Sequence, residues 1–78
     1  MAEVTSIVRD YFGVTLYVTP RGNPGKSYAC RAWTWKPIPG GGLEVQVQTW
    51  PGYGRYKGKV RLTPGRRKQF EAAQKQEV

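Results

Sequence analysis

The sequence predicts a mainly β domain, a small antiparallel sheet of four strands or an open barrel, followed by a C-terminal helix. Two observations predict this class. Several short runs alternate apolar with polar residues at the two-residue period of a half-buried strand, and turns rich in Gly and Pro separate these runs. The 78 residues suit a single domain, 1–78, in which 64–78 form the helix or tail.

The N-terminal segment is open to two interpretations. Val4, Ile7, Val8 and Tyr11 fall at helical spacing, and Gly13 is suited to a left-handed helix end. This spacing favours a short helix. The same segment is rich in β-branched residues, which favours an irregular strand instead.

The first two predicted strands flank a long turn. Polar and apolar residues alternate over 14–19 and predict a strand. The Pro- and Gly-rich stretch 20–25 predicts a loop. A second strand is expected from about Ser27 to Trp35, after which the Pro and Gly residues of 37–42 predict a flexible connection.

Two further strands follow. The third begins at Leu43, with apolar residues at every second position, and 51–54 form the next turn. The fourth has two opposite faces, formed by Tyr56, Val60 and Leu62 and by Lys57, Lys59 and Arg61. Four such strands predict a meander, or a small barrel of the size of OB and SH3-like barrels.

The last element is a helix. Thr63 followed by Pro64 is typical of an N-cap and a first-turn proline, and predicts a helix over about 64–76. Its apolar stripe is narrow and consists of Phe70, Ala72 and Ala73.

The positive charge is concentrated in the middle of the chain. The whole sequence has 13 Lys and Arg against 5 Asp and Glu, a net charge of +8 and a pI of about 10.1. Between Tyr11 and Phe70, eleven bases face a single acid, Glu44, a net charge of +10. Uncompensated charge of this kind is typical of proteins with a polyanionic partner.

The second strand has two possible orientations. The residues that face the core are either Tyr28, Cys30, Ala32 and Thr34 or Ala29, Arg31, Trp33 and Trp35. The second choice buries the Arg31 guanidinium without an evident acidic partner, which costs several kcal/mol or more. We therefore expect Arg31, Trp33 and Trp35 to face outward. The alternative, in which an indole belongs to the core, stays open.

Exposed aromatic rings between bases predict a non-catalytic nucleic-acid-binding protein, with single-stranded DNA or RNA favoured. Rings stack on unpaired bases, and Lys and Arg contact the phosphates. The candidate binding residues are Tyr17, Arg21, Lys26, Arg31, Trp33, Trp35, Trp50, Arg55, Lys57, Lys59, Arg61, Arg66 and Arg67. The last two, at the helix start with Lys68, form an anion site or, alternatively, a solvated tail.

Several function classes are disfavoured by the composition. The chain has no His and one Cys, Cys30, so we expect no internal disulfide, no metal and no cofactor. No cluster of residues is typical of catalysis, and an enzyme is not expected.

No apolar run or secretory signal predicts a membrane segment or export. The expected location is a reducing cytoplasm. Because so short a chain buries little surface, a homodimer would stabilise it.

Two other functions fit the same surface. The first is a duplex-DNA architectural or regulatory protein whose aromatic residues wedge between base steps. The second is a protein-interaction module or inhibitor that binds an acidic protein, since Tyr, Trp and Arg are enriched in interface hot spots.

Two local resemblances point to DNA. The stretch from Gly13 to Arg31, with Leu16-Tyr17-Val18-Thr19-Pro20-Arg21-Gly22 and Gly25-Lys26-Ser27-Tyr28, resembles the opening hairpin of the small N-terminal DNA-binding domains of phage-type tyrosine recombinases. The basic hairpin tips, aromatic residues and short strands look like the single-stranded DNA-binding proteins of filamentous phages. Both resemblances imply a DNA partner, and neither assigns a site residue or a family.

Overall fold

The computed structural model describes residues 2–76, which form a five-stranded antiparallel sheet and one helix. The elements are β1 (Glu3–Asp10), β2 (Gly13–Thr19), β3 (Tyr28–Pro37), β4 (Leu43–Thr49), β5 (Lys57–Leu62) and α1 (Pro64–Lys75). The strands neighbour one another in chain order. The predicted mainly β class with a C-terminal helix is confirmed, with five strands rather than four. Residues 77 and 78 of the predicted tail lie outside the described part.

The additional strand is the N-terminal segment. β1 pairs with β2 from Glu3↔Thr19 to Asp10↔Gly13, and its register shifts between Val4 and Ser6. The irregular strand is therefore the correct alternative, and the short helix is wrong. The reason is that β2 offers this β-branched segment a full ladder of backbone partners, which local helical spacing cannot outweigh.

The core lies between the inner side of the curled sheet and α1. Its aliphatic side chains alternate along the strands as predicted and are Val4, Leu16, Val18, Leu43, Val45, Val47, Val60 and Leu62. From α1, Phe70 and Ala73 join the core, whereas Ala72 is exposed. The helix packs chiefly on β1. No helix within residues 2–76 is long and apolar enough to cross a bilayer.

Both ends of α1 are attached to β1 by arginines. At the start, the Thr63 hydroxyl accepts the Arg66 backbone N–H at 3.2 Å, as the predicted N-cap requires. The Arg66 guanidinium also donates to the Thr5 carbonyl at 3.1 Å. At the other end, the Arg9 guanidinium donates to the carbonyls of Ala73 and Gln74, both at 3.3 Å. A cation at the carbonyls of the last helical turn is favourable in the helix dipole, so α1 is held along β1.

The triple glycine, in the connection that the sequence suggested would be flexible, forms a tight turn between β3 and β4. The Ile38 N–H donates to the Gly42 carbonyl at 3.2 Å. Gly40 and Gly41 have φ of +93° and +90°, where glycine is strongly favoured. A Cβ atom on Gly42 would overlap the Leu62 carbonyl oxygen. The turn therefore depends on glycine because β5 passes directly beside it.

We expect Gly42→Ala to destabilise the fold by about 1–3 kcal/mol, because the Leu62 backbone must move to admit the methyl group. Urea denaturation followed by far-UV circular dichroism measures the change. Gly22→Ala is the matched control, since a Cβ there meets open space; it should leave stability unchanged or raise it by a few tenths of a kcal/mol. Equal effects of the two substitutions would contradict the close approach of β5.

The single thiol is inside the core. Cys30 is fully buried, and burial raises its pKa from the ordinary 9.0 to about 11. Burial also raises the pKa of Tyr56. Both groups therefore keep their protons in the folded chain at a pH where the unfolded chain loses them.

Stability should accordingly fall as the pH rises from 9 to 11, because the unfolded thiol ionises first. We expect Cys30→Ala to lower stability at every pH but to show a shallower decline over this range. Denaturation midpoints at pH 7, 9 and 10.5 compare the two proteins. Parallel curves would show that Cys30 contributes nothing to the decline.

Candidate functional site

One extra residue in β3 shifts the alternation of its side chains. The residues of the second half of the strand therefore face the sides opposite to those that strict alternation predicts. Cys30 and Ala32 pair with Thr49 and Val47, but the register shifts before Thr34, which pairs with Gln46. Such a bulge leaves two consecutive residues against one on the partner strand. The exposure of Arg31 and the burial of Cys30 confirm the expected orientation of the first half of β3.

The two β3 tryptophans consequently lie on different sides of the sheet. Trp33 is the extra residue at the bulge, on the side opposite Ala32, and is 46% exposed. Trp35 pairs with the core residue Val45, and its ring lies edge-on to Phe70 at 5.1 Å between centroids. It is nevertheless 44% exposed. The outward prediction is therefore supported for Trp33 and wrong for Trp35.

The outer side of β3, β4 and β5 carries a regular array of cations. Three cross-strand rows form it, Arg31↔Gln48↔Lys57, Thr34↔Gln46↔Lys59 and Lys36↔Glu44↔Arg61. We call the cations Arg31, Lys36, Lys57, Lys59 and Arg61 the basic face; all five residues are exposed. Cations two residues apart along β5 are roughly 6–7 Å apart, and neighbouring strands are about 4.8 Å apart.

A single acid lies within this array. Glu44 has its cross-strand neighbours Lys36 and Arg61 in the third row, and its carboxylate is 3.6 Å from the Lys59 Nζ. The Lys59 side chain is 63% exposed, so this ion pair contributes little to stability. Four of the five positive charges are left without an acid on the same face, which favours an anionic partner.

The aromatic cap, defined as Tyr11, Phe12, Trp50 and Tyr53, borders the basic face. The Trp50 ring stacks on Phe12 at 5.6 Å, and Tyr53 meets Phe12 edge-on at the same distance. Tyr11 is 94% exposed. The Arg31 guanidinium lies 5.8 Å from the centre of the Trp50 ring, within reach of a cation–π contact. Arg31 thereby joins the cap to the basic face.

Trp50 is held across the outer side of β2 and β3 by two hydrogen bonds. Its backbone N–H donates to the Ala29 carbonyl at 3.0 Å, and its indole N–H donates to the Thr15 hydroxyl at 2.9 Å. Thr15, which the indole covers, is fully buried and donates in turn to Asp10 at 3.0 Å. The two hydrogen bonds fix the position of the indole against β2 and β3, and Trp50 is therefore partly structural.

A polar groove continues the basic face at the β4–β5 hairpin. Its volume is about 420 Å³, and its lining includes Gln48, Trp50, Arg55, Tyr56 and Lys57. The exposed Arg55, which precedes β5, therefore extends the array of cations into the β4–β5 hairpin.

The remaining predicted residues lie away from the basic face. Tyr17 is on the outer side of β2 and half-buried, and Arg21 and Lys26 are in the exposed β2–β3 loop. Arg66 is bound to β1 as described. Arg67 donates to the carbonyls of Gly41 and Gly42 at 3.3 and 3.5 Å, and its Nε is 3.5 Å from the Glu71 carboxylate. Both helix arginines therefore also connect α1 to other elements, and the anion site expected at the helix start stays a prediction.

Sequence reasoning missed four residues of this region, Lys36 of the basic face and Tyr11, Phe12 and Tyr53 of the aromatic cap. Lys36 is on the outer side only because the bulge shifts the alternation of side chains along β3. Phe12 and Tyr53 are in different turns, and only the fold brings Phe12 against both Trp50 and Tyr53. An aromatic pair in the short turn between β1 and β2 is the one local signal that would have drawn attention to the cap.

Comparisons of the chain with protein-family models, with curated proteins and with solved structures find no match. The two local resemblances in the sequence therefore have no support from these comparisons.

Replacing Trp50 with Phe should destabilise the fold by about 1–2 kcal/mol, because the buried Thr15 hydroxyl loses its indole donor. Urea denaturation gives the change. Trp33→Phe is the matched control at the half-exposed bulge position, with an expected change within about 0.5 kcal/mol. If both variants lose the same stability, the Thr15 hydrogen bond does not anchor the cap.

Proposed function

We propose that this protein binds single-stranded nucleic acid, DNA or RNA, on the basic face, without catalysing a reaction on it. The observation that carries the proposal is the set of three cross-strand rows, which present five exposed cations around one acid, Glu44. The sheet fixes these cations relative to one another, so binding needs little ordering of the backbone. A linear polyanion that crosses the three strands contacts several of these cations at once.

The aromatic residues around the basic face support a preference for unpaired strands. Trp33 is beside the second row, and the aromatic cap borders the first row through Arg31. Each base that stacks on an aromatic ring gains about 1–3 kcal/mol. A paired base has no free face to offer except at the end of a duplex, so these rings favour a single strand.

The other two functions are distinguished by competition. An architectural duplex-binding protein needs rings that can enter between base steps, whereas the Trp50 ring is held by its hydrogen bond to Thr15 and is stacked on Phe12. We therefore expect a single strand to outcompete a duplex of equal length for the protein. Preference for the duplex would favour the architectural function, and absence of binding to any oligonucleotide would favour an acidic protein partner.

The salt dependence of binding tests the basic face directly. If about five phosphates are neutralised, log affinity for a single-stranded oligonucleotide falls against log salt with a slope near −3.5. Lys57→Gln removes one such contact and should change the slope to about −2.8. Fluorescence anisotropy of a labelled twelve-nucleotide strand across salt concentrations measures both values.

Lys75→Gln is the matched control, since it removes the same charge from the exposed last turn of α1. It should leave the slope of the original protein unchanged. Equal changes in the two variants would indicate attraction to the net charge alone, and a slope near zero in the original protein would overturn the proposal.

A further inference from the structure

An apolar cleft opens where β2 and β3 separate. Its volume is about 440 Å³, and it is lined by Phe12, Gly13, Val14, Arg31, Ala32, Trp35, Trp50, Phe70 and Gln74. Rings from four different parts of the chain therefore surround one space of the size of a small ligand site. The cleft connects the outer side of the sheet, at Arg31, with the side that α1 covers, at Phe70.

The backbone beside the cleft has a free edge. Pairing between β2 and β3 ends at Thr15↔Arg31, so β3 continues from Ala32 to Pro37 with a strand neighbour only on its β4 side. The polar backbone groups of a strand edge are ready to pair with another molecule. The cleft thus combines apolar walls with a row of donors and acceptors and one cation, the Arg31 guanidinium.

These features select a planar ring with apolar faces, hydrogen-bonding groups around its edge and an attached anion. The aromatic walls contact the faces of such a ring, the edge of β3 pairs with its polar rim, and Arg31 attracts the anion. A nucleobase with its phosphate has all three properties. A purely apolar ligand would leave the backbone edge unused, at a cost in desolvation.

We propose that this cleft binds one unpaired nucleobase of the strand that lies on the basic face. The inference rests on the proposed function and adds a second kind of contact to it. Arg31 belongs both to the first row of the basic face and to the lining of the cleft, so a strand that contacts Arg31 can turn a base inward there. A base in the cleft cannot be paired, and this would strengthen the preference for single strands.

Filling the cleft from its solvent side tests the inference. Gln74 is an exposed residue of α1 that lines the cleft, so Gln74→Trp adds a ring there without replacing a core residue. Ala72→Trp is the matched control, because Ala72 is an exposed residue of the same helix outside the lining. Thermal denaturation confirms that both variants fold.

Binding is measured by fluorescence anisotropy with two labelled strands, twelve thymidines and an abasic strand of the same length. Gln74→Trp should weaken binding of the thymidine strand about tenfold, the equivalent of one stacked base, and leave binding of the abasic strand unchanged. Ala72→Trp should bind both strands with the affinity of the original protein.

The other outcomes separate the cleft from the basic face. If Gln74→Trp binds both strands with the original affinity, or if binding of both strands weakens equally, the inference is overturned while the proposed function stands. If the original protein binds neither strand, the proposed function fails and the inference with it. Thymidine monophosphate supplies the same base without a strand. Loss of its binding in Gln74→Trp, with normal binding of the thymidine strand, would assign the cleft to a free nucleotide and overturn the inference.

Discussion

The extra residue in β3 determines how the rest of this surface is arranged. Before the bulge, Arg31 points outward and Cys30 inward; after it, Thr34 and Lys36 share the outer side and Trp35 pairs with Val45. Without the bulge, the charged Lys36 would lie on the core side, where burial without a partner is costly. The bulge therefore completes the third row of the basic face and gives the helix an aromatic partner, the edge-on contact of Trp35 with Phe70.

The same region shows how so small a domain divides its aromatic residues between stability and exposure. The inner side of the sheet is closed mainly by aliphatic residues and Phe70. Trp50 closes the outer side over Thr15 by its indole hydrogen bond, and its stacking partner Phe12 stays about half exposed. The aromatic cap is thus a second, smaller packed cluster, and a surface ring that is already held in place loses little conformational freedom when a ligand stacks on it.

The arginines illustrate the same division of tasks. Arg9, Arg66 and Arg67 donate to backbone carbonyls and attach α1 to β1 and to the glycine turn. The cations of the outer side make fewer contacts within the fold: Lys59 pairs with Glu44, and the Arg31 guanidinium lies over the Trp50 ring. The positive charges of this chain therefore fall into more than one group, and those of the outer sheet are available to a polyanion without loosening the helix.

The sequence alone determined the alternating strands, the Thr63 cap and the helix that packs through Phe70, because each follows from a local period or a local hydrogen bond. Of the two alanines in its predicted stripe, Ala73 is buried and Ala72 is exposed. The sequence also identified four of the five cations of the basic face, since strict alternation holds along β5 and in the first half of β3. Only the tertiary structure decided that the N-terminal segment is a strand, that Trp35 faces α1 and that Phe12 meets Trp50 and Tyr53. These outcomes depend on pairing partners and on one unpaired residue, and neither leaves a periodic signal in the chain.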